Sequence, residues 1–276
     1  MMQSSCWVNG VPAEHISVTD RGLSYGHGIF ETLPIVQGTA LLWSLHRQRL
    51  MMSCERLGIP FQSVIDAIEQ DIRGFLPDQT GVLRITITCG EGLRGYRMPD
   101  RIVPTRILQY LPPSVYPNQP ERMGIKAMLC QQRLGISPGL AGMKHLNRLE
   151  QVLARSEWQT ADLQEGIVCD IDDYIIEGTM SNLFMVKAGE LHTPSLDRCG
   201  VWGVMRQHLI HLAEREGFVL HEGRYHLEDL LASDEIFFCN SLIGIWPLVE
   251  LSPHSFVIGP VTRKLQALLE ASYRVC

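Results

Sequence analysis

Gly139-Leu140-Ala141-Gly142-Met143-Lys144-His145-Leu146-Asn147-Arg148-Leu149-Glu150 is the stretch from which the rest of this sequence is read. It sets one amine at the end of a small, glycine-rich approach, and the apolar spacing that follows predicts a helix over 146–158. The amine stands out because lysine is scarce. There are four (Lys126, Lys144, Lys187 and Lys264) against twenty arginines. A chain that favours arginine so heavily keeps lysine where only an amine serves. Lys126 lies in an alternating strand pattern, Lys187 precedes the Ala188-Gly189 turn, and Lys264 sits on an amphipathic helix pattern. Those three positions suit solvated charges. Spacing alone would also allow a surface lysine at 144, so the downstream residues decide.

Downstream, Asp173-Tyr174-Ile175-Ile176-Glu177-Gly178-Thr179-Met180-Ser181-Asn182-Leu183-Phe184 places the Glu177 carboxylate among small and apolar neighbours. Gly200-Val201-Trp202-Gly203-Val204-Met205-Arg206 then reads as a loop feeding a helix over 204–216. The first amides of a helix have no intrahelical partner and suit a phosphate. Cys239-Asn240-Ser241 closes a short buried strand at 236–239 with two small polar residues. An amine, a buried carboxylate and a phosphate cradle are the parts a pyridoxal 5′-phosphate site requires.

Upstream, Asn9-Gly10 is a turn signal after Trp7-Val8. Residues 29–36, the turn Gln37-Gly38-Thr39 and residues 40–43 predict a hairpin in which Pro34 argues for an edge or a bulge. Helices are expected over 45–57 and 64–75, and a strand over 82–88. Pro112 to Pro120 contains four prolines and is the natural linker. The expected organisation is an N-terminal α/β domain over 1–113, a linker over 114–120 and a larger C-terminal domain over 121–276 that binds the cofactor. Strands are expected over 124–130 and 166–170, and a last helix over 262–273.

The bulk numbers agree with a globular enzyme. The 276 residues suffice for two cores, with 45% hydrophobic and 20% charged residues and a net charge of −6. No basic patch of the kind nucleic acid requires is apparent, and no apolar run approaches a membrane span. The N-terminus has no basic segment followed by an apolar one, and the eight scattered cysteines form no CxxC pair. A reducing cytoplasmic setting is the expectation. Gly90-Glu91-Gly92-Leu93-Arg94-Gly95 fits GxGxxG, but Tyr96 to Asp100 and Pro104 follow it as loop sequence, so no helix is available for a dinucleotide. His208 and His211 lack a nearby third metal ligand, and no GxSxG elbow occurs, so no metal or serine-nucleophile site is expected.

Five motifs in order carry a family resemblance: Asp20-Arg21-Gly22-Leu23-Ser24-Tyr25-Gly26-His27-Gly28-Ile29-Phe30-Glu31, His46-Arg47-Gln48-Arg49-Leu50, Lys144, Glu177 to Phe184, and Gly203 to Arg206. The chain resembles the fold-type IV pyridoxal phosphate enzymes, which include branched-chain and D-amino acid aminotransferases and aminodeoxychorismate lyases. Gly142 to Gln151 and Arg94-Gly95-Tyr96 most resemble the lyases. The resemblance implies a two-domain α/β fold, a homodimer, and conversion of 4-amino-4-deoxychorismate to 4-aminobenzoate and pyruvate. An aminotransferase of D-amino or branched-chain amino acids is the alternative. It further implies that Lys144 bonds the cofactor aldehyde and then acts as base, and that Glu177 faces the pyridine nitrogen. Arg49, the amides of Val204 and Met205, and Asn240 with Ser241 would hold the phosphate. Asn182 would bond the ring or hold Glu177. Thr32 and Arg94 are the expected substrate-binding residues, Pro34 is expected to break the strand after Thr32, and residues near there would help shape that pocket.

Overall fold

The computed structural model describes residues 5–75, 80–113 and 115–273. They divide into two compact units: residues up to Val115 together with Met143–Asn147, and Tyr116–Gly142 together with the residues from Arg148 onward. The stretch carrying Lys144 therefore groups with the first unit.

In the first unit the chain forms β1 (Ser5–Val8), β2 (Val11–Pro12), α1 (Arg21–Tyr25), β3 (Gly28–Val36), β4 (Thr39–Ala40), α2 (Trp43–Arg56), α3 (Gln62–Phe75), β5 (Gly81–Thr88) and β6 (Thr105–Leu111). The strands make an antiparallel sheet in the order β2-β1-β6-β5-β3-β4. Asn9 and Gly10 both take positive φ, as the tight turn between β1 and β2 demands. Alternation sends Ile29, Leu33, Ile35, Leu83, Ile85 and Ile87 to one face. Leu50 and Cys54 of α2 and Ile65 and Ile68 of α3 cover that face. The opposite face carries Phe30, Thr32, Arg84 and Thr86, with Thr32 directly opposite Arg84.

Pro34 departs from expectation. β3 runs unbroken for nine residues, and its register with β5 is regular from Gly28 to Ile35. The Pro34 carbonyl accepts from Leu41 N at 3.0 Å, on the β4 side. In an antiparallel strand the nitrogen of a residue points the same way as its carbonyl, so the missing N–H faces the end of a two-residue strand rather than β5. No break is needed at Pro34.

The second unit contains α4 (Pro120–Met123), β7 (Ile125–Leu134), α5 (Leu149–Arg155), β8 (Glu165–Asp170), β9 (Ile175–Gly178), β10 (Asn182–Lys187), β11 (Glu190–Pro194), α6 (Val204–Arg215), β12 (Leu220–Gly223), α7 (Leu227–Leu231), β13 (Glu235–Asn240), β14 (Gly244–Leu251), β15 (His254–Ser255) and α8 (Pro260–Tyr273). Among the described residues its sheet runs β12-β11-β10-β13-β14-β7-β8-β9, with β15 on β14. The pairs β11–β12, β14–β7 and β7–β8 are parallel and the rest antiparallel. β13 is buried along Glu235–Cys239, which is why it reads as a continuous apolar run. Phe238 joins a core with Leu230 of α7, while Phe237 stacks on Phe184 at 5.1 Å.

The expected helix over 146–158 is shorter, because α5 begins only at Leu149. Residues 144–146 are held as an extended segment against β3 instead. Phe30 N donates to Lys144 O at 2.9 Å, and Leu146 N donates to Gly28 O at 3.0 Å. Those partners occupy backbone groups that a helix would need.

Candidate active site

In the first unit the site begins with the glycines of Tyr25-Gly26-His27-Gly28. A Cβ on Gly28 would stand 2.5 Å from Ile87 O and 2.8 Å from Leu146 Cδ1. Only glycine lets the 144–147 segment approach β3 this closely. Gly26 closes α1 at φ 64°, and Asn147 Nδ2 donates to its carbonyl at 3.3 Å. Lys144 is thus tied to β3 through its carbonyl. Its Nζ lies 4.5 Å from the centre of the Phe30 ring, and the Arg84 guanidinium lies 4.4 Å from the same ring.

On the other side of β3, Glu31 meets two residues of α2. Arg49 donates from Nε to Oε1 at 2.7 Å and from Nη2 to Oε2 at 2.5 Å. His46 Nδ1 lies 2.6 Å from Oε2. All three side chains are buried. Burial by itself would raise the Glu31 carboxyl, but the Arg49 charge and His46 overcome it and bring it down to about 2. Burial pushes His46 below the usual histidine range, against the pull of Glu31 and with help from the Arg49 and Lys144 charges. The ring is therefore neutral at pH 7, with Nδ1–H donating to Glu31. Arg49, expected at the phosphate, has part of its donor fork engaged by Glu31.

Arg21 organises the loop that includes Arg94. Its guanidinium donates to the carbonyls of Gly95, Tyr96 and Arg97 and to His27 Nδ1. The loop from Gly90 to Val103 contains no helix, as the loop-like sequence after Gly95 predicts. Arg94 is exposed and Thr32 half-buried. Arg84 was not singled out from sequence. Its signal was a lone charge in the Val82-Leu83-Arg84-Ile85-Thr86 run, and burial depresses its pKa.

In the second unit, the C-terminal end of β9, the start of β10, the end of β13 and the start of α6 bring a second set of residues together. Glu177 Oε2 accepts from Val201 N at 2.9 Å and from Asn182 Nδ2 at 3.5 Å. Asn182 Nδ2 also donates to Val201 O at 2.9 Å, so it holds both Glu177 and the loop before α6. Gly203 begins α6 without a side-chain cap, and a Cβ there would stand 1.9 Å from Asn182 Oδ1. The first-turn amides, including those of Val204 and Met205, are presented at that end. Asn240 Oδ1 accepts from Leu242 N and Ile243 N at 2.8 and 3.0 Å, and Nδ2 donates to Met180 O at 3.1 Å. Its side chain shapes the turn that carries Ser241.

Glu165 was missed in the sequence. It is buried and accepts from Thr179 Oγ1 at 2.5 Å, Ser181 Oγ at 2.6 Å, and Thr179 N and Gly166 N at 2.9 Å each. Burial raises its pKa, against the pull of those hydrogen bonds. It fixes the Thr179–Ser181 bend between Glu177 and Asn182, and no local pattern announces that role. His208 and His211 turn to different partners, Ser272 and Gln207.

Each unit taken by itself offers part of what a phosphorylated aldehyde with a basic ring nitrogen requires: the first carries an amine whose backbone is held to β3, and the second carries a buried carboxylate that accepts an N–H and an uncapped helix start that begins at a glycine.

The amino-transferase class IV family pattern matches residues 28–251. The chain is 37% identical over 268 residues to the aminodeoxychorismate lyase of Vibrio harveyi, covering 95% of this chain and 98% of that protein. It is similar to the crystal structure of 4-amino-4-deoxychorismate lyase from Pseudomonas aeruginosa, with a TM-score of 0.92 and 45% identity over 96% of this chain and 98% of that one. The branched-chain amino acid aminotransferase of Escherichia coli gives a TM-score of 0.84 at 26% identity, over 97% of this chain and 93% of that one.

Proposed function

That the chain belongs to the amino-transferase class IV family is the premise from which we propose its reaction: conversion of 4-amino-4-deoxychorismate to 4-aminobenzoate and pyruvate. The observation that carries it is the near-full-length likeness to two lyases of that name, at 37% and 45% identity. Pyridoxal 5′-phosphate is the proposed cofactor. When bound it supplies an aldehyde carbon and an electron-accepting ring.

Lys144 would hold the cofactor through its amine and, when not so engaged, would be the base. Freed, the amine removes the proton from the substrate carbon bearing the nitrogen. The neighbouring enolpyruvyl C–O bond then breaks, and the carbocycle becomes aromatic. The proton held on Lys144 is available to the departing oxygen, which leaves as the enol of pyruvate. Glu177, steadied by Val201 N and Asn182, would hold a proton at the ring nitrogen of that group. The amides of Val204 and Met205, with Ser241 on the turn shaped by Asn240, hold the phosphate. Arg49 is assigned to the same phosphate. Thr32 and Arg94 are assigned to the substrate, and Arg84 joins them because it shares a face with Thr32 and Phe30.

The reading carries with it a homodimer in the cytoplasm, as the resemblance implies. Among the described residues no helix is long and apolar enough to cross a membrane. The test is formation of 4-aminobenzoate from aminodeoxychorismate by wild type and Lys144→Ala. The variant should lose about 10³-fold or more in kcat and the visible absorbance of the bound cofactor. If wild type makes no 4-aminobenzoate but converts its cofactor to the amine form with D-alanine, the aminotransferase reading replaces this one.

A further inference from the structure

At the outer edge of the second unit, β11 and the edge strand β12 carry a three-residue cluster that the proposed reaction does not use. Leu191 and Thr193 point into the core, so alternation sends Glu190 and His192 outward from β11. β12 runs parallel to β11, and its register sets His221 directly beside His192. The two imidazoles stack with centroids 4.7 Å apart and planes 21° from parallel. His221 Nε2 lies 2.8 Å from Glu190 Oε2. One ligand atom from each of Glu190, His192 and His221 lies within 4.8 Å of the others.

We propose that Glu190, His192 and His221 form a binding site for a divalent transition ion of the zinc class. Two imidazoles and one carboxylate are the donors that such ions prefer, whereas magnesium and calcium seek oxygen alone. Ligand atoms around a tetrahedral zinc stand roughly 3.4 Å apart, given bonds of about 2.1 Å. Closing from 4.8 Å requires rotation of Glu190 and His221, whose side chains are each 46% exposed. A neighbouring tyrosine supplies the outer support common at such sites. Tyr225 Oη donates to His221 O at 3.2 Å and so accepts from His192 Nδ1, also at 3.2 Å. With the proton on Nδ1, the lone pair of His192 sits on Nε2, where a metal can take it. The fourth position is left to water. Metal here staples a four-residue edge strand to its neighbour across the crossover that contains α6.

The test uses the cofactor-loaded protein, dialysed against EDTA and then metal-free buffer, and titrated calorimetrically with zinc chloride. The expected result is one zinc per chain in the micromolar range, with a rise in Tm of about 5 °C at saturation. His192→Ala and His221→Ala should each weaken binding by at least about tenfold, and Tyr225→Phe by roughly tenfold through the lost outer hydrogen bond. His211→Ala, on α6, should leave binding unchanged. Retained 4-aminobenzoate formation or an unchanged far-UV circular dichroism spectrum shows that the variants are folded. Binding only at millimolar zinc, or binding that survives His192→Ala and His221→Ala together, overturns the proposal.

Discussion

Glu31→Gln tests whether the buried cluster of Glu31, His46 and Arg49 stabilises the first unit as its geometry requires. The Glu31 carboxyl falls from 4.5 to about 2 despite full burial, because Arg49 and His46 outweigh desolvation. At about 1.4 kcal/mol per pKa unit, the fold favours the ionised form by roughly 3 kcal/mol. Removing the charge leaves the Arg49 guanidinium buried without its anion, which is destabilising by a similar amount, about 3–5 kcal/mol. The sign follows from the depressed pKa: the contribution is present above pH 4.5 and is lost as pH falls toward 2. His46 acts in a separate window, because below pH 6.5 the unfolded ring takes a proton that the buried ring resists. A His46→Asn background removes that second titration. In it, the stability lost on Glu31→Gln should shrink by roughly 1 kcal/mol between pH 7 and pH 4. Urea unfolding followed by tryptophan fluorescence reads this, since Trp43 packs against the core of the first unit. A loss below about 1 kcal/mol at pH 7 in the wild-type background, or a loss that does not shrink at pH 4, would refute the reasoning.

Gly203→Ala puts a methyl group 1.9 Å from Asn182 Oδ1 and displaces the side chain that holds Val201 and Glu177. It should destabilise the fold by about 1–3 kcal/mol and weaken cofactor binding by roughly tenfold, read by absorbance titration; an unchanged titration would contradict the role given to this helix start. The thiols of Cys54, Cys130, Cys199 and Cys239 are pushed up to about 12 by burial, and that of Cys169 to about 11. An aromatic disulfide reagent at pH 8 should therefore reach these five only on unfolding, and rapid labelling of any of them in the native protein would show that the burial is wrong.

What the sequence made legible was what short-range periodicity encodes. Val82 to Thr88 alternates because one face of β5 meets α2 and α3, and Ile236 to Cys239 is uniformly apolar because both faces of β13 are covered. What it hid depends on partners far away in the chain. The residues after Lys144 have helical spacing, yet β3 claims the 144–146 backbone, and nothing within 139–150 signals that competitor. Pro34 looks like a strand breaker until its nitrogen is seen to face a neighbour that ends after two residues. Glu177 and Lys144 were visible as residue types, but Glu165 owes its role to four hydrogen bonds from Gly166, Thr179 and Ser181, and Arg49 divides its donors with Glu31. A guanidinium already paired to a carboxylate held near pKa 2 is fixed in direction before any anion arrives. The phosphate-binding role given to Arg49 therefore depends on Glu31, a residue that need not touch the cofactor at all, and substitution of either should impair the same step.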